Sequence, residues 1–172
     1  NISNNAVNGR TTRQALESMP YEIQNSYPDI LIIQFGMNDC NYWKSDNGVP
    51  RVNKDSFKYN LKEIIQRSEK FSTKKILLNT NHPTTRTKKY DYADISYQES
   101  NSIYNEMIRE VASESERVIL NDIEKKVLKK IKNSGDLSSL LLEDQLHLSI
   151  KGHDFYYNQT LKELKKIIED LI

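Results

Sequence analysis

The stretch "PDILIIQFGMND", residues 28–39, sets an isoleucine-rich apolar run between a Pro-Asp pair and a glycine. A run this short is too brief for a buried helix, and its β-branched content suits a strand covered on both faces. The strand is expected near residues 30–35. Two further runs have the same character: "KKILLNT", residues 74–80, and "RVILND", residues 117–122. They predict strands near residues 75–79 and 118–121.

The segments between these runs change period from continuous to helical. Phe57, Leu61, Ile64 and Ile65 share one helical face, as do Ile103, Met107, Ile108 and Val111. Ahead of the first run, "TTRQALESM" reads as a helix start, with Thr11 and Gln14 spaced as a capping box. A last helix over roughly residues 150–171 carries Phe155, Leu161, Leu164, Ile168 and Leu171. Strands separated by helices imply a parallel sheet with helices on both sides. The expected fold is therefore α/β, a three-layer α/β/α domain with a parallel, flavodoxin-like sheet. Residues 1–172 form one such domain in this reading.

Composition narrows the function classes. Lys+Arg 25 against Asp+Glu 24 leaves a net charge of +1, with 37% hydrophobic and 28% charged residues. That balance calls for neither nucleic acid nor an anionic membrane as partner. No apolar run approaches the roughly 20 residues of a membrane helix. A lone cysteine, Cys40, excludes an internal disulfide and leaves the compartment open. Three histidines with no ligand spacing on a helix argue against a zinc site, and no cofactor is expected. The lysine-rich "EKKVLKKIK" reads as a solvated helix face.

In an open parallel sheet, function gathers at the carboxyl ends of the strands. "GMND", residues 36–39, follows the first run and "NHPTT", residues 81–85, follows the second. "NAVNGRTT", residues 5–12, stands where a strand would pass into a helix, and "DQLH", residues 144–147, precedes the last helix. Each also has a plain reading. Asn38 and Asp39 suit a turn, Gly9 suits a positive φ before a helix, and His82 suits an ordinary loop histidine. Taken together, these polar points lie at one edge of one sheet.

The ordered set resembles the SGNH (GDSL-type) hydrolase superfamily over nearly the whole chain. Gly9 in "NGRTT" matches the family's second block. "GMND" matches its third block, Gly-x-Asn-Asp, in full. "DQLH" matches its fifth block, Asp-x-x-His, at Asp144 and His147. The first block, Gly-Asp-Ser, occurs nowhere in these residues. In the family that block ends a central first strand. The resemblance therefore implies an N-terminally incomplete domain that starts at its second strand. The serine, its strand and the first helix would lie on an upstream segment. Without them the strands before Gly9 and up to Phe35 would face a gap, and the isolated residues should be insoluble or molten.

The resemblance further implies a serine-dependent acyl-ester hydrolase of esterase, acetylesterase or thioesterase type, working through an acyl-enzyme. His147 would be the base and Asp144 its orienting acid; Gly9 and Asn38 would form the oxyanion hole. The substrate would be a small-molecule or carbohydrate ester. Cys40, Tyr42, Trp43 and the basic loop over residues 84–92 either line its pocket or serve as packing and loop; the sequence leaves both open. Two other classes share the scaffold. One is a non-catalytic binding module, if the upstream segment lacks serine. The other is a flavodoxin-like small-ligand binder, which a glycine-rich phosphate loop would favour; none is visible.

Overall fold

The computed structural model describes all 172 residues, apart from the side chain of Ser134. Helix α1 (Thr12–Met19) runs into a π-helical turn (Pro20–Gln24) and is followed by β1 (Ile30–Ile33). Next come α2 (Lys54–Lys70), β2 (Lys75–Asn79), a short hairpin of β3 (Lys89–Tyr90) and β4 (Ala93–Ser96), and α3 (Tyr97–Ala112). The chain closes with β5 (Val118–Asn121), α4 (Ile123–Ser134), a 3-10 turn (Leu137–Leu140) and α5 (Ile150–Leu171). Among the described residues no helix is long and apolar enough to cross a membrane.

Strands β1, β2 and β5 form one parallel sheet in that order. Alternation along β2 assigns its faces. Ile76 and Leu78 enter the main core with Phe57, Leu61 and Ile65 of α2 and Tyr104 and Ile108 of α3. Leu77 and Asn79 point the other way, where Asn121 bonds Asn79 Oδ1 at 2.8 Å and reaches Thr160 of α5. Helices α1–α3 thus cover one face and α5 the other. This is the expected three-layer arrangement, and β2 and β5 occupy the expected residues.

Two expectations are corrected. No strand precedes Gly9: residues 1–7 have no regular structure. Four of the seven are asparagine or serine, and Asn5 bonds the Glu22 carbonyl at 3.0 Å through its side chain. Nor is β1 buried on both faces. It lies at the edge of the sheet and pairs with β2 alone. Ile33 is buried in the main core, but Ile32, on the face where α5 packs over β2 and β5, is 45% exposed. For the same reason α5 buries little of its expected apolar stripe, and Ile168 is 40% exposed.

A charged cluster ties α3 to the β5–α4 corner. Arg109 Nε and Nη2 donate to Asp122 at 2.9 and 2.8 Å, and Nη2 also donates to Glu124 at 2.7 Å. Burial pushes the Asp122 carboxyl up, but the Arg109 bonds and the Lys125 N–H outweigh it and hold the group at about 2. A carboxyl depressed in the folded state contributes stability above its unfolded value near ~4 and loses it as pH falls towards about 2. Arg109→Met should cost about 3 kcal/mol at neutral pH by leaving Glu124 without an ion pair and Asp122 with Lys125 alone, at 3.4 Å. That corresponds to a fall in Tm of about 6–12 °C for a chain of this size. Thermal scans should show the gap between variant and parent closing below about pH 3; a constant gap would assign the cost to lost packing instead.

Candidate active site

The site begins where β1 stops. Gly36 has φ 123°, and a Cβ there would lie 2.5 Å from Asn81 Nδ2, so the turn leaving the strand needs glycine on both counts. The Cys40 N–H donates to the Gly36 carbonyl at 2.8 Å and closes a tight turn around Asn38 and Asp39. Asp39 points inward and is fully buried. One of its oxygens accepts from Thr12 N–H at 2.8 Å and Thr12 Oγ1 at 2.6 Å. It therefore anchors the first residue of α1. The other oxygen has no partner among the described residues, and burial pushes this carboxyl up.

Asn38 points towards the segment that Asp39 holds. Its Nδ2 donates to the Arg10 carbonyl at 3.2 Å. A turn from Val7 to Arg10, closed by Arg10 N–H to Val7 O at 3.2 Å, sets Gly9 at φ 78°. Arg51 Nη1 fixes the Gly9 carbonyl at 3.1 Å, while the Gly9 N–H bonds no described residue. At the start of α1, Thr11 N–H donates to Gln14 Oε1 at 2.9 Å, the capping contact read from the sequence. The Gly-x-Asn-Asp stretch thus has two jobs. Asp39 places α1, and Asn38 lies against the Gly9–Arg10 turn.

Asp144 and His147 lie together in the loop before α5. One Asp144 oxygen accepts from the backbone N–H groups of Leu146 and His147, both at 2.9 Å, which folds the chain into a tight Asx-type turn. Gln145 sits in it at φ 63°. The other oxygen meets His147 Nδ1 at 2.5 Å. The His147 bond, with the two backbone bonds, holds the Asp144 carboxyl well below the usual carboxylate range. An ionised Asp144 can only accept, so Nδ1 is the donor; in the neutral ring that leaves the lone pair on Nε2. His147 is 71% exposed at its side chain, and Nε2 bonds no described residue.

No direct hydrogen bond joins the Gly9–Asn38 pair to the Asp144–His147 pair among the described residues. They are linked through the loop after β2. Arg86 Nε donates to the Asp144 carbonyl at 2.9 Å, and Thr85 N–H to the Gln145 carbonyl at 3.3 Å. Tyr97 lines a cleft with Gln145 and sends its hydroxyl to the Met37 carbonyl at 2.7 Å, one residue before Asn38. The basic composition of that loop was visible in the sequence; its attachment to the Asp-x-x-His turn was not. His82 is a buried histidine rather than an open loop residue. Burial pushes it below its usual value, and its Nδ1 faces the Pro83 carbonyl at 3.1 Å. Cys40 is fully buried, and burial pushes its thiol up to about 12, so it is inert packing.

The model of the GDSL-like lipase/acylhydrolase family matches residues 1–155. The chain belongs to that family. Among curated protein sequences none matches. Solved structures share the fold at low identity. An acetylxylan esterase from Geobacillus stearothermophilus is 19% identical with a TM-score of 0.71, over 90% of this chain and 68% of that one. A lipase/acylhydrolase from Enterococcus faecalis is 21% identical with a TM-score of 0.71, over 92% and 72%. A further acetyl xylan esterase is 23% identical with a TM-score of 0.70, over 91% and 77%. Membership in the GDSL-like family makes this an ester hydrolase by kind.

Proposed function

We propose that the protein hydrolyses short-chain acyl esters, carbohydrate O-acyl esters among them, through an acyl-serine intermediate. The observation that carries this reading is the Asp144–His147 contact at 2.5 Å with Nε2 free of described partners. In the first half-reaction His147 Nε2 takes the proton of a serine hydroxyl as its oxygen bonds to the ester carbonyl carbon. The bond to the alcohol then breaks, and His147 returns the proton to the departing oxygen. In the second half, water attacks the acyl-serine, His147 again takes and returns a proton, and the free acid leaves. Asp144 holds the tautomer and balances the imidazolium.

The Gly9 N–H and Asn38 Nδ2 are the oxyanion donors in this scheme. One Asn38 N–H is held by Arg10 O, which orients the amide and leaves the second for the oxyanion. A donor of this sort typically contributes ~100- to 1000-fold in rate. In this scheme the nucleophilic serine belongs to polypeptide outside residues 1–172, as the resemblance to the family's Gly-Asp-Ser block implies. The preference for carbohydrate esters rests on the two acetylxylan esterases that share the fold.

Labelling with a fluorophosphonate tests the scheme. The full-length protein should take up one equivalent, mapped by peptide mass spectrometry to a serine outside these residues. Adduct formation at a serine within them, such as Ser3, would keep the class and move the nucleophile. No adduct and no ester turnover would end the reading.

A further inference from the structure

The cleft beside the Asp144–His147 turn has a charge pattern that hydrolysis itself does not require. It is lined by residues 85–88, Tyr90, Tyr97 and Gln145, with a volume of about 270 Å³. That is just below the ~300–1,000 Å³ of ordinary small-molecule sites, which suits a compact group and not a long acyl chain. Two of its residues, Arg86 and Lys88, are cations, and none is an acid.

We propose that this cleft selects an ester bearing a carboxylate, and that Arg86 and Lys88 read the charge. The inference rests on the hydrolase scheme above and names its substrate class. Arg86 is preorganised for the task. Its Nε is held by the Asp144 carbonyl at 2.9 Å, and its guanidinium lies 5.9 Å from the Tyr97 ring centroid. Both Nη groups bond no described residue, so the planar fork is left for a two-point carboxylate contact. Lys88 Nζ has no described partner either. Basic residues elsewhere are commonly engaged: Lys89 pairs with Asp94 at 2.6 Å, Lys58 with Glu110 at 2.6 Å, and Arg51 lies over Trp43 at 4.1 Å. Several surface lysines are unpaired as well, but Arg86 and Lys88 are the two cations that line the cleft. Because Arg86 bonds Asp144 itself, a carboxylate seated there lies close to the ester that His147 addresses. The charge then orients the substrate as well as binding it.

Two matched ester pairs test this on the full-length protein. One places the charge on the acyl side, mono-para-nitrophenyl glutarate against its terminal amide. The other places it on the alcohol side, meta-acetoxybenzoate against meta-acetoxybenzamide. At least one charged ester should be preferred in kcat/KM, and that pair identifies the side. The charged-to-neutral ratio should fall about 10- to 100-fold in Arg86→Gln/Lys88→Gln, the range that charge-assisted hydrogen bonds give. It should also shrink with added salt. Lys88→Gln alone should lower the ratio without touching the Asp144 carbonyl contact, and Lys129→Gln, on the exposed face of α4, should not lower it. Turnover with a ratio equal in parent and double variant would overturn the proposal and leave the hydrolase intact. If no ester is turned over, glutarate titration by NMR still decides. Amide shifts at residues 85–88 and 145 that vanish in the double variant support the site, and their absence in the parent rejects it.

Discussion

His147→Ala should lower kcat for acyl-ester hydrolysis by about 10⁶-fold, the cost of removing the base from a serine–histidine unit. The effect is large because, in the proposed scheme, one ring serves both half-reactions, taking the proton on attack and returning it on departure. Among the described residues no other histidine, His153 in the first turn of α5 included, meets an orienting carboxylate. His82 is buried against Pro83, and Cys40 is buried with a thiol pushed up to about 12. The fold should be untouched. His147 is 71% exposed at its side chain, and its backbone N–H bond to Asp144 at 2.9 Å does not need the ring. Burst and steady-state kinetics should show acylation, and not only deacylation, reduced in the variant. A kcat within about tenfold of the parent would remove His147 from the mechanism, since general-base catalysis alone contributes ~10²–10⁴-fold.

Asp144→Asn should lower kcat by about 10⁴-fold while leaving the loop in place. The asparagine oxygen can still accept the Leu146 and His147 N–H groups that fold the turn. Its amide, however, would place a donor against His147 Nδ1 where a carboxylate now accepts at 2.5 Å. The ring answers by moving its proton to Nε2, the atom required to be a base. A histidine NMR spectrum should show that change of tautomer, and KM should move far less than kcat. The depressed carboxyl makes a further point about pH. Asp144 stays ionised well into the acid range, so the acid limb of the parent's rate profile should not report its titration. Equal tautomers in parent and variant, with a large loss of rate, would show that Asp144 acts in some other way.

Much of the scaffold was legible locally. β2 and β5 fall where "KKILLNT" and "RVILND" predict them, because a short β-branched run between helices has few other uses. The Thr11–Gln14 cap and the four-residue spacing of "DQLH" also specify local geometry, since each is closed by bonds within three residues. Other features had no local signal. The β3–β4 hairpin is too short for a period to register. Arg86 looked like one more basic loop residue until its bond to a carbonyl 58 positions away was known. The expected strand before Gly9 is absent: residues 1–7, four of them asparagine or serine, pair with no strand.

By itself the sequence determined the α/β class, two of the three parallel strands to the residue, and the Asp144–His147 pair, all set by periods and contacts a few residues long. The tertiary structure decided the rest. It left β1 half-covered at an edge, set Asp39 under Thr12 and Asn38 against Arg10, and tied the Asp-x-x-His turn to Thr85 and Arg86. Those contacts join residues 27 to 60 positions apart through loops without periodicity. Which loops meet depends on where the sheet places their ends, and no local pattern of residues encodes that.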